Sequence, residues 1–245
     1  MFNWFYKLSD KEMDTPLFKA ILAGDFDVLK CVLLMELMEM ITEVDSEGRT
    51  LLHHASINGD IKLVKYLIMS GADIDATCHK GQTPLMVATI NNHDTIVDVL
   101  RENNADVDIV DKDGYTALHH AAKKNSASTT KLLLNYASRP KDDGTIRLVN
   151  FFPTQPTADI FIENTVGQRP IDLAKLETAD LLKEAEKLSK ALSESIKNND
   201  ADNILLCLTS GACVTDEIVE QSKDDKRITE WLSEAAPNKI RRSVK

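Results

Sequence analysis

The sequence predicts an all-α solenoid of about six helix pairs, joined by β-hairpin fingers and carrying one hairpin-like insertion. Three observations predict it. Gly48, Gly81 and Gly114 stand 33 residues apart. Each opens the same phrase: Gly48-Arg-Thr-Leu-Leu-His53, Gly81-Gln-Thr-Pro-Leu-Met86 and Gly114-Tyr-Thr-Ala-Leu-His119. After each phrase, apolar residues recur at helical spacing, as Ile61, Val64, Leu67 and Ile68 do. A fixed period of this length marks a chain that stacks one supersecondary unit rather than closing a single globular core.

The elements follow in order. Residues 1–9 form an apolar cap with Trp4 at its centre, too short for the core of a signal peptide. Residues 10–140 hold four repeats. In the second, Thr50 N-caps a helix through Leu51, Leu52 and Ala55. Gly59-Asp60 breaks it and starts a second helix, and Gly71 ends that one in the left-handed region. In the third, Pro84 takes the first helical position, where no N–H is needed, and Asn104 replaces the terminal glycine. The fourth breaks the period, with Ala137 at the glycine position.

Residues 141–163 read as an extended β-hairpin lengthening the finger between repeats four and five. Ile146 to Phe152 and Asp159 to Ile162 are its two runs, flanking a proline-containing turn. Residues 164–215 hold repeats five and six, restarting at Gly167-Gln-Arg-Pro170, with no finger between them. Residues 216–236 read as one closing helix, and 237–245 as a basic tail.

Composition excludes several classes. The net charge of −10 argues against a general nucleic-acid binder, because phosphate contact needs a basic face. No apolar run reaches the roughly 18 residues of a membrane span. Cys31, Cys78, Cys207 and Cys213 form no CxxC pair, so free thiols in a reducing cytoplasm are expected. The pairs His53-His54 and His119-His120 lie two repeats apart, roughly 20 Å at one helix layer per repeat, too far to share a metal. Asp106, Asp108, Asp111 and Asp113 precede Gly114 as in a calcium loop, but residue 120 is His where the glutamate ligand belongs. No nucleophile elbow or phosphate-binding loop occurs, so no catalysis, cofactor or metal is expected.

These phrases resemble the ankyrin repeat. Its 33-residue unit carries Gly-x-Thr-Pro-Leu-His, a glycine between helices, and a Gly-Ala-Asp-Val-Asn ending. Here Gly48-Arg-Thr-Leu-Leu-His-His-Ala55 and Gly71-Ala-Asp-Ile-Asp-Ala76 match closely, as does Gly114-Tyr-Thr-Ala-Leu-His-His-Ala-Ala122. The resemblance implies that the histidine of the phrase, His53 or His119, braces the turn. It also implies a concave face of finger tips and first helices that binds another protein.

By position, the tips are Arg49, His79, Lys80, Gln82, Lys112 and Tyr115. The first-helix candidates are Ile57, Asn58, Ile90, Asn91, Lys123 and Lys124. With Glu47 and Asp113 this set has five basic and two acidic residues, a balance of +3 in a molecule of −10. An acidic or phosphorylated partner segment is therefore expected. Phe151, Phe152 and Phe161 of the insertion are expected to add specificity.

The function this predicts is non-catalytic protein recognition by a monomeric adaptor, scaffold or inhibitor. One alternative is a secreted effector of an intracellular microbe that binds host proteins. Alternatives of other classes are an enzyme or small-molecule binder using residues 141–163, and a self-associating structural protein.

Overall fold

The computed structural model describes residues 41–134, 157–210, 212–222 and 225–235. The N-terminal cap, the first repeat, the Ile146–Phe152 run and the basic tail lie outside the described residues. The chain divides into two compact units, Met1–Asn103 and Asn104–Lys245.

In the first unit, α1 (Leu51–Asn58) pairs with α2 (Ile61–Met69), and α3 (Pro84–Ile90) with α4 (Asp94–Glu102). The pairs stack in register, α1 on α3 and α2 on α4. The caps are those the sequence predicts. Thr50 Oγ1 accepts from the His53 amide, and Thr83 Oγ1 accepts from the Met86 amide with Pro84 behind it. Asp60 Oδ1 accepts from Lys62 and Leu63 at the start of α2. Gly71 (φ +89°) and Asn104 (φ +65°) leave their helices in the left-handed region. Between the layers Leu51, Leu52, Leu63, Leu67, Leu85, Ile96 and Leu100 are almost fully buried. Each such side chain contributes about 1.5–3 kcal/mol.

In the second unit, α5 (Ala117–Lys124) pairs with α6 (Ala127–Leu133). The fifth repeat opens with α7 (Pro170–Leu173), which packs on α5. Next comes α8 (Leu176–Lys197), followed by α9 (Ala201–Thr209), α10 (Asp216–Gln221) and α11 (Lys226–Ala235). The 22-residue α8 does two jobs. It packs on α6 as the second helix of repeat five and on α9 as the first helix of repeat six. No turn separates these repeats because Leu181, Leu182, Ala185, Leu192 and Ile196 keep one buried stripe along the whole helix. At the far end α8, α9, α10 and α11 share a core that includes Leu192, Ile204, Leu208, Val219, Ile228 and Leu232.

Two expectations need correction. The closing segment is two helices rather than one: Thr215 Oγ1 caps α10, and α11 starts separately at Lys226. The insertion also sits elsewhere than predicted. In the second repeat, the Ala72 amide donates to Leu67 O, five residues back, closing the end of α2. In the fourth repeat the equivalent bond to Leu133 O comes from Ala158, 25 residues on, at 3.0 Å. Twenty residues are therefore inserted at the end of α6, before the finger. Asp159 to Ile162 is the ordinary closing segment of the repeat, not a hairpin strand. Asp159 Oδ1 accepts from the Phe161 amide, as Asp106 Oδ1 does from Asp108 and Asp73 Oδ1 from Asp75. Its β-branched and aromatic residues suit a strand, which is why the sequence pattern resembles one. Ile160 is instead buried as part of the repeat.

Among the described residues there is no strand, and the connections close as tight turns. None of the described helices is long and apolar enough to cross a membrane.

Candidate functional site

Each repeat begins in a turn, and the turns are built alike. In Asp45–Arg49, the Gly48 amide donates to Asp45 O at 2.8 Å and the Asp45 amide to Arg49 O at 3.0 Å. Asp45 Oδ1 accepts from the Glu47 and Arg49 amides at 2.9 and 2.8 Å. Its Oδ2 takes Arg49 Nε at 2.8 Å and His54 Nε2 at 2.9 Å. Burial alone would raise this carboxyl. The Arg49 and Glu47 amides and the Arg49 guanidinium outweigh that and hold it below its ordinary value.

The turn Asp111–Tyr115 repeats the design. Asp111 Oδ1 accepts from the Asp113 and Tyr115 amides, and Oδ2 from His120 Nε2 at 2.9 Å. At Asn164–Gln168 an asparagine serves: its Oδ1 accepts from the Val166 and Gln168 amides.

The phrase histidines tie each turn to the next. His53 Nδ1 accepts from the Thr50 amide at 3.2 Å, and its Nε2 donates to Gln82 O at 2.9 Å. His119 does the same with Thr116 and Gln168 O, at 3.2 and 3.0 Å. Both rings must be neutral to accept at Nδ1. Burial lowers their pKa accordingly, and that of His54 and His120.

His93, which sequence reasoning missed, donates from Nε2 to Ile57 O at 2.9 Å and satisfies the end of α1. Its signal was position: it follows Asn92, a left-handed residue between helices. Of the calcium-like aspartates, Asp106 and Asp111 are turn acceptors, and Asp108 Oδ1 takes the Asp159 amide at 2.7 Å. Among the described residues no group of three potential ligands could hold a metal.

The predicted contact residues distribute unevenly. In the first unit Asn58, His79, Lys80 and Asn91 are exposed, while Arg49, Ile57, Gln82 and Ile90 are half-buried. Arg49 is not an available cation, because it is bound to Asp45 and, at 3.2 Å, to Glu47. Asn91 Nδ2 donates to Val87 O of its own helix at 2.7 Å. In the second unit Lys112, Lys123 and Lys124 are exposed. Tyr115 is half-buried beneath Lys123, whose Nζ lies 5.1 Å from the ring centre. Phe161 is half-buried in the repeat's closing segment. Phe151 and Phe152 lie outside the described residues.

A cleft of about 490 Å³ opens between α8 and α9, lined by Leu188, Glu194, Asp200, Leu206 and Cys207 among others. Burial, and then the Asp200 charge, push the Cys207 thiol up, which suits packing rather than nucleophilic attack.

Helix pairs stacked by a repeated, capped turn define a helical repeat protein. The model for ankyrin repeats (3 copies) matches residues 2–78 and 70–143, more than half of the chain. The chain belongs to the ankyrin repeat family. It is also similar to alpha-latrocrustotoxin-Lt1a of Latrodectus tredecimguttatus, 40% identical over 63 residues. That match covers 26% of this chain and 4% of the toxin, so the chain spans a small fraction of that relative's length.

Proposed function

We propose that the chain is a non-catalytic protein-recognition module, acting as an adaptor, scaffold or inhibitor. The observation that carries this is the construction of the turns. Half-buried Asp45 and buried His53, Asp111 and His119 spend their polar atoms inward, fixing the backbone. Each unit then presents its own tips on a fixed turn, exposed His79 and Lys80 in the first and exposed Lys112 in the second. A preordered surface loses little entropy when a partner lands on it. The partner segment is acidic or phosphorylated, in keeping with the basic residues among the predicted contacts. The array runs to about six helix pairs with hairpin-like fingers, and the twenty inserted residues add specificity. The protein is cytoplasmic, which suits Cys78, Cys207 and Cys213 as thiols rather than disulfides.

The test uses the full chain with a photo-cross-linking residue placed in turn at Lys80, Lys112 and Lys65, the last exposed on a second helix. Partner adducts identified by mass spectrometry are expected from the two tip positions and not from Lys65. Adducts at Lys65 alone would overturn the tip assignment.

A further inference from the structure

We propose that the second unit carries a docking surface for a carboxylate-rich peptide segment, centred on Tyr115 and rimmed by Lys112, Lys123 and Lys124. This rests on the recognition-module reading and narrows it to one unit and one chemistry.

The surface is a fixed piece of structure. The Tyr115 ring lies 5.5 Å from His119 and 5.3 Å from His120, with Lys123 Nζ 5.1 Å from its centre. His120 is held by Asp111, whose other oxygen holds the Tyr115 amide. Turn, ring and the end of α5 therefore cannot shift independently. The neighbouring turn is pinned alongside, because Thr165 donates to Asp113 O from its amide at 3.0 Å and its hydroxyl at 2.9 Å. That turn presents Val166, 73% exposed, as an apolar contact.

Charge selects the occupant. Lys112, Lys123 and Lys124 form no ion pair with a described residue, and Asp111 is turned inward, leaving Asp113 as the exposed acid of that turn. In the first unit Arg49 is already neutralised by Asp45 and Glu47. An acidic peptide approaching a molecule of net charge −10 is thus drawn to this surface. Carboxylates fit better than phosphate. Three separate lysine point charges suit carboxylates spaced singly along a segment, one to each ammonium. Lys123 and Lys124 sit in the last turn of α5, where the helix end carries partial negative charge and opposes a dianion.

The test is fluorescence anisotropy with the full chain and a labelled synthetic peptide of Glu, Leu and Gly. Binding is expected to weaken with salt. Replacing Glu by Gln in the peptide, or making Lys112→Glu, Lys123→Glu and Lys124→Glu together, should each weaken it at least about tenfold. The milder triple Lys→Gln variant should fall between, and thermal melts verify folding of both. Lys65→Glu, on a second helix, should stay within about twofold.

Failure of the Glu peptide to bind at about 1 mM, equal binding of the Gln peptide, or an equal loss from Lys65→Glu would each overturn the inference. Tighter binding of a phosphoserine peptide of the same length would overturn the carboxylate assignment. Cross-links from the Lys80 position that persist in the triple Glu variant would sink this surface while leaving the recognition module standing. Tip cross-links absent from the unaltered chain would instead remove the broader reading.

Discussion

His53 and His119 each use both ring nitrogens, one within the cap and one across to the next turn. Truncating either to alanine leaves a buried amide and a carbonyl without partners, at a cost of about 1–3 kcal/mol. The same rings set a pH dependence. Their folded pKa lies below the ordinary 6.5. As pH falls through 6.5 the unfolded chain takes up protons first, so stability is complete above that value and declines below it. Urea midpoints should therefore be lower at pH about 5.5 than at about 7.5, and the His53→Ala, His119→Ala double variant should flatten that slope.

Two backbone positions give opposite signs. Gly114 has φ +77°, and a Cβ there would lie 2.7 Å from the Thr165 nitrogen. Gly114→Ala should cost more than about 1 kcal/mol. Leu176 has φ +49° and is 79% exposed, so it is strained without burying its side chain. Leu176→Gly should raise stability by about 1 kcal/mol in the same denaturation measurement.

At the scale of elements, the inserted segment leaves and rejoins the repeat at one hydrogen bond, Ala158 to Leu133. The repeat is closed without it. Replacing residues 135–157 by the three residues Met69-Ser70-Gly71 of the second repeat restores the five-residue spacing. That variant should fold with an unchanged or raised melting temperature, since loop closure varies only slowly with length. Loss of helicity on calorimetry or circular dichroism would mean that the segment carries core contacts. The length of this insertion was legible from the broken period, but its position was not. Where it enters depends on which amide closes α6, a contact between residues 25 apart. Likewise the lack of a finger between repeats five and six was readable, but that one helix, α8, serves both was not.

At the scale of the molecule, a net charge of −10 opposes self-association and nucleic-acid binding alike. Light scattering at two concentrations should return the mass of one chain, 27.3 kDa, at both. A mass rising with concentration would favour the self-associating alternative. The predicted basic balance of +3 does not survive as a uniform property, because one of its five cations is locked in its own turn.

The sequence by itself determined the repeat, its period and the caps at Thr50 and Thr83, while the resemblance implied the bracing role of the histidines. The period and the caps rest on local rules, in which a residue type and its spacing decide the backbone within one turn. Only the tertiary structure decided where the insertion enters, that α8 serves two repeats, and which lysines are left without a carboxylate. Those outcomes depend on contacts between residues far apart in the chain, and spacing along a sequence carries no record of which distant partner takes a given hydrogen bond or charge.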